Sequence, residues 1–114
     1  MKQSAISRSK IAIVSHSLGS AMSRAYALKN PSRLAAWASL GMQAYDYAGI
    51  RIPVLDLYGE QDLHPVLKKA GKRAASLKGN PKSRQAMVPG SDHFFNNREA
   101  EMVQEVKSFL DSIQ

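Results

Sequence analysis

Apolar residues along this chain fall into short continuous runs that alternate with stripes at helical spacing. Residues 11–14 are a short, β-branched apolar run that predicts a buried strand, and further strands are predicted at residues 34–40, 53–58 and 84–88. Between them, residues 20–29 predict a helix that Asn30-Pro31 ends. Residues 42–51 fit either a short helix or a loop.

Two further helices are predicted in the second half of the chain. Pro65 suits the first turn of a helix, and Gly79-Asn80-Pro81 breaks it. Its apolar stripe is Leu67, Ala70, Ala74 and Leu77, with basic residues on the other face. Asn96 or Asn97 would cap the last helix, whose predicted buried stripe is Val103, Val106, Leu110 and Ile113.

Strands that alternate with helices predict an α/β fold, with a parallel sheet of about four strands covered by helices on both faces. Ligands of such sheets bind beyond the carboxyl ends of the strands. Three of the four strand ends carry reactive polar residues, in the chain order Ser17, Asp62, His93. A serine hydroxyl becomes nucleophilic when a histidine takes its proton and an acid orients that histidine. The sequence therefore predicts a site where these three side chains meet.

Three motifs at these positions resemble those of the α/β-hydrolase superfamily. Residues 15–19 read SHSLG, close to the G-x-S-x-G turn that carries the nucleophile in that family. Residues 58–62, YGEQD, resemble its acid loop, and residues 89–94, PGSDHF, its histidine loop. Ser15 stands where the family has its first glycine.

The resemblance implies a role for each residue of the site. Ser17 would be the nucleophile, Asp62 the orienting acid and His93 the general base, while the Leu18 N–H would bind the oxyanion. His16 and Phe94 are candidate pocket residues. The resemblance implies no metal and no organic cofactor. The expected substrate is a small carboxylic ester or related acyl compound.

The resemblance accounts only for the strands that the family numbers five to eight. We therefore expect a half-size, truncated domain over residues 1–114, without the loop that normally supplies the second oxyanion donor. Two functions stay open: a serine hydrolase, or a non-catalytic, self-associating remnant that keeps the three residues.

The first predicted strand would have one unpaired edge in such a half-size sheet. Unpaired apolar edges favour pairing with another chain. We therefore expect a homodimer through the strand between Ile11 and Val14. The alternatives are that residues 1–9 fold over this edge, or that the chain is a poorly soluble fragment.

Composition narrows the partners. The 114 residues are 44% hydrophobic and 22% charged, as in ordinary globular proteins, and contain no cysteine. No membrane-spanning or secretory segment is recognisable, so we expect a cytoplasmic protein. The net charge is +7, and seven bases lie between Asp62 and Asp92. Since no aromatic residues interleave with them, we interpret them as a solvated surface rather than a nucleic-acid site.

Asp56, inside a predicted strand, pairs with a base or marks an exposed strand end.

Overall fold

The computed structural model describes residues 10–113, which form one four-stranded sheet and its helices. The strands are β1 (Ile11–His16), β2 (Leu34–Leu40), β3 (Val54–Gly59) and β4 (Arg84–Val88). The α-helices are α1 (Leu18–Lys29), α2 (His64–Lys68), α3 (Ala70–Ser76) and α4 (Glu99–Ile113), and Pro31–Arg33 forms a 3₁₀ turn. None of the helices between residues 10 and 113 is long and apolar enough to cross a membrane.

All neighbouring strands are parallel, and their order in the sheet is β1-β2-β3-β4. One hydrophobic cluster joins Trp37 and Val54 to Ala27 of α1 and to Leu77, which follows α3. A second cluster, on the opposite face, joins the sheet to Phe109 and Ile113 of α4. The predicted α/β fold is therefore confirmed. That residues 1–114 form one truncated domain stays a prediction, since the structure describes residues 10–113.

The segment between β2 and β3 is a loop, which resolves the choice that the sequence left open. It nevertheless contributes to the first core cluster, because Met42, Tyr47, Ile50 and Ile52 are all buried. This segment therefore covers one face of the sheet as a loop and not as the short helix that the sequence also allowed.

The predicted single helix after Pro65 is wrong. The chain breaks at Lys69 into α2 and α3. Leu67 is 39% exposed, whereas Val66 and the basic Arg73 are buried. The prediction placed all the bases of this region on the solvent side, and for Arg73 it fails.

A buried carboxylate explains why Arg73 points inward. Asp56 of β3 is fully buried, and Arg73 Nε lies 3.0 Å from both of its carboxylate oxygens. Gln85 Nε2 donates to Asp56 at 2.9 Å, and the Tyr47 hydroxyl contacts both Asp56 and Ser39. A buried carboxylate is tolerated only when it is paired and hydrogen-bonded. Of the two readings of Asp56, the one in which it pairs with a base is therefore correct.

The buried face of α4 also differs from the predicted stripe. The helix begins at Glu99, beyond both predicted caps, and it buries Phe109 as well as Ile113. Val103 is 56% exposed. It faces the same side as Val14 of β1, and within residues 10–113 no element covers that side. The expectation that residues 1–9 fold over the β1 edge lies outside the described residues.

Candidate active site

Ser17, His93 and Asp62 meet at the carboxyl end of the sheet. The distance from His93 Nε2 to Ser17 Oγ is 2.9 Å, and that from His93 Nδ1 to Asp62 Oδ1 is 2.6 Å. With the imidazole proton on Nδ1, the Ser17 hydroxyl donates to His93, and His93 donates to Asp62. His93 and Asp62 are 4% and 6% exposed, so the hydrogen bond between them is buried away from solvent.

Ser17 occupies a sharp turn between β1 and α1. Its φ of 56° and ψ of −118° are unfavourable for a residue with a side chain. The Ser17 N–H donates to the Leu40 carbonyl at 2.7 Å, which fixes the turn against β2. Leu18 is the first residue of α1, so its N–H has no acceptor within the helix. The turn therefore presents a hydroxyl beside a free backbone donor.

Ser15 has a structural reason to stand where the related motif has glycine. Its hydroxyl accepts a hydrogen bond from Trp37 Nε1 at 2.9 Å and lies 3.2 Å from the Ser20 hydroxyl. Trp37 is fully buried, so its indole N–H needs this acceptor. Leaving such a buried donor unpaired costs about 1–3 kcal/mol.

The acid loop is held by backbone donors and by close packing. Leu63 N–H donates to Asp62 Oδ1 at 2.7 Å, and Gly59 N–H donates to Oδ2 at 3.2 Å. A Cβ on Gly59 would lie 2.3 Å from the Ser91 carbonyl oxygen. Glycine at this position therefore lets the acid loop and the histidine loop touch.

The histidine loop is organised by Asp92. Its carboxylate accepts hydrogen bonds from Phe94 N–H at 2.9 Å, from Asn96 N–H at 3.0 Å and from Asn96 Nδ2 at 2.9 Å. These bonds, those of Asn96 first, lower the pKa of Asp92. Asp92 therefore shapes the turn that carries His93.

His16 and Phe94 both lie against the histidine loop. His16 Nε2 donates to the His93 carbonyl at 2.7 Å, and the two imidazole rings are 4.7 Å apart. The Phe94 ring is 5.0 Å from the His93 ring and 67% exposed. Both side chains border His93, and a role in substrate binding stays a prediction for each.

Gln43 belongs to the site, although the sequence analysis did not single it out. Its Nε2 donates to Ser17 Oγ at 3.1 Å. It also lines a cavity of about 170 Å³ together with Ser17, Leu18, Ala21 and Ala44. The signal that could have identified it is its position, just past the end of β2, the fourth strand end.

Metal-binding side chains do not cluster in the described part of the chain. Among residues 10–113, no group of three or more histidine, aspartate or glutamate side chains is arranged to hold an ion.

Comparisons with known proteins connect this fold with the hydrolases. No family model matches the chain. No curated protein matches it either. Among solved structures, it is similar to a predicted CIB-like hydrolase from Thermoplasma acidophilum, with a TM-score of 0.77 and 21% identity over 90% of this chain and 51% of that one.

A second similar structure is a protein of unknown function from Agrobacterium tumefaciens, provisionally classed as an α/β hydrolase. The TM-score is again 0.77, with 22% identity over 90% of this chain and 50% of that one. The chain therefore has the α/β-hydrolase fold, as the sequence motifs predicted, and spans about half the length of these structures.

Proposed function

We propose that this protein is a serine hydrolase that cleaves a carboxylic ester or a related acyl compound. The observation that carries the proposal is the continuous chain of hydrogen bonds from Asp62 through His93 to Ser17. The turn at Ser17 and the free N–H of Leu18 support it, because an acyl transfer needs both an accessible nucleophile and an oxyanion donor.

The reaction would proceed in two steps, the acylation and the deacylation of Ser17. Ser17 Oγ attacks the carbonyl carbon, its proton moves to His93 Nε2, and the carbonyl electron pair moves onto the oxygen beside the Leu18 N–H. When the carbonyl reforms, the alcohol leaves with the proton from His93. Water, deprotonated by His93, then releases the acid and restores Ser17. Asp62 keeps the proton on Nδ1 and stabilises the imidazolium.

A fluorophosphonate tests the proposal without a choice of substrate, because the reagent adds rapidly only to an activated serine. We expect intact-mass analysis to show one adduct on the native chain and none on Ser17→Ala. Ser108→Ala, at an exposed serine on α4, is the matched control and should be labelled like the native chain.

Circular dichroism must show that each variant keeps the native fold. A folded native chain that takes up no label, or a Ser17→Ala variant that is still labelled, would contradict the proposal.

The exposed edge of β1 favours a second candidate, a non-catalytic module that associates with its own copies. Among the described residues β1 pairs only with β2, and Ile11 and Val14 are 57% and 53% exposed. Val14 also borders an apolar cavity of about 540 Å³ with Val103 and Leu110 of α4. A two-fold axis beside β1 would pair the two edges and bury both apolar patches against each other.

Light scattering at micromolar concentration tests this homodimer. We expect Val14→Lys to yield monomers, because a charge would be buried in the apolar patch that the two copies bring together. Met22→Lys, at a 70% exposed residue of α1, should leave the dimer intact. A monomeric native chain would contradict the dimer. A dimer that takes up no fluorophosphonate would favour the non-catalytic module over the hydrolase.

A further inference from the structure

We infer that the side-chain amide of Gln43 is an oxyanion donor at Ser17, partnering the backbone N–H of Leu18. The inference rests on the proposed hydrolase function and assigns a role that the three predicted residues do not fill. The related motifs imply one donor, at Leu18, and an acyl-transfer site needs more than one strong donor to stabilise the oxyanion well.

The contacts of the Ser17 hydroxyl support this role. Its oxygen accepts a hydrogen bond from Gln43 Nε2 at 3.1 Å while it lies 2.9 Å from His93 Nε2. The hydroxyl proton is thereby directed at the base, and a lone pair faces the amide. Gln43 therefore already touches a reacting atom.

The cavity beside Ser17 keeps the Gln43 amide close to the position where the oxyanion would form. Ser17, Leu18 and Gln43 line the same space of about 170 Å³, whose other walls are Ala21 and Ala44. In the tetrahedral intermediate, the oxyanion and Oγ are bonded to the same carbon. A donor within hydrogen-bond distance of Oγ can therefore reach the oxyanion by a small side-chain rotation. The small cavity also suits a short acyl group.

The electron balance shows when the amide acts. As the bond from Oγ to the carbonyl carbon forms, the π electrons move to the carbonyl oxygen and the Oγ proton moves to His93. Nothing is oxidised or reduced. The Gln43 N–H then faces a full negative charge instead of a neutral oxygen, so its hydrogen bond strengthens in the transition state. The same charge returns when water attacks the acyl-enzyme.

Kinetics of Gln43→Leu with p-nitrophenyl acetate test the inference. Loss of one oxyanion donor lowers kcat by a factor on the order of 10²–10³. We expect a loss of that size in both the acylation burst and the steady-state deacylation, with KM little changed. Gln43→Glu should lose at least as much, because a carboxylate would repel the oxyanion. Gln104→Leu, at an exposed glutamine of α4, is the matched control and should keep native rates.

Three results would overturn the role of Gln43, and one of them would overturn the hydrolase function as well. If Gln43→Leu keeps kcat within about threefold of the native value, or slows acylation alone, the amide is not an oxyanion donor. A native chain without fluorophosphonate labelling would overturn the hydrolase function, and the role of Gln43 with it. A crystal structure of the phosphonylated chain gives an independent check, since Gln43 Nε2 should then donate to the phosphoryl oxygen. An amide turned away from that oxygen would overturn the inference.

Discussion

Gly41 lies directly against the His93 ring. Its φ is +65°, and a Cβ there would lie 2.8 Å from His93 Cε1. A side chain at this position would therefore both strain the backbone and push the ring away from Ser17.

We expect Gly41→Ala to lower the rate of fluorophosphonate labelling by at least about tenfold, because a displaced base leaves the serine unactivated. Gly71→Ala is the matched control, since a Cβ at Gly71 meets nothing within 4 Å. This control should be labelled at the native rate and be more stable by about 0.5–1 kcal/mol, because alanine favours the helix. Labelling time courses and urea denaturation measure both effects. Native labelling of a folded Gly41→Ala variant would show that the ring has room.

The sequence located some residues of the site and missed others for a physical reason. Ser17, Asp62 and His93 could be placed because parallel strands end at the same edge of a sheet. Gln43 lies three residues beyond β2 in an irregular loop, where no periodicity indicates which way a side chain points. The acceptor role of Ser15 depends on Trp37, which is remote in sequence and adjacent only in the sheet.

The strands were predicted more accurately than the helices. The predicted bounds of β2 and β4 were correct. β2 is a short apolar run, as a buried parallel strand requires, and β4 ends at the turn signal Pro89-Gly90. The predicted buried face of a helix was wrong where that face depends on a particular neighbouring residue or element. Arg73 turns inward for Asp56, and Val103 stays exposed because no described element lies over it. The spacing of apolar residues along a helix predicts neither the inward orientation of Arg73 nor the exposure of Val103.

Tyr47, in the loop between β2 and β3, should make the stability of the protein pH-dependent in the alkaline range. Burial, and then the neighbouring Asp56 carboxylate, raise the pKa of Tyr47 well above 10.0. A group whose pKa is raised by folding contributes stability below its unfolded pKa and loses it as the pH rises through the folded value. The contribution of Tyr47 should therefore be complete at neutral pH and decline above about pH 10.

We expect Tyr47→Phe to be less stable than the native chain at about pH 8, by about 1–3 kcal/mol, because Asp56 and Ser39 lose a hydrogen bond. The difference should narrow as the pH approaches about 11. Urea denaturation across this range measures it. Tyr45→Phe, at a 49% exposed tyrosine of the same loop, should show no such narrowing. A difference that stays constant with pH would contradict the linkage.

At the scale of the whole molecule, charge opposes the proposed dimer. Each chain carries a net charge of +7, so two copies repel each other. Salt screens that repulsion, and we expect light scattering to show a larger dimer fraction at about 0.5 M than at about 0.05 M sodium chloride. Nucleic-acid binding would weaken over the same range, because it depends on releasing counterions. A dimer that dissociates as salt is added would contradict apolar pairing at β1.

The order of the strands has a consequence for how the chain folds. Because the sheet order follows the chain order, each strand can pair with the one synthesised just before it. Ser17 belongs to the first strand-to-helix turn and His93 follows the last strand, so their contact spans 76 residues, and we expect it to close after the sheet is complete. The reactivity of the serine would then report the end of folding: in a refolding experiment, the fluorophosphonate would mark only those molecules whose final strand and histidine loop had reached their places.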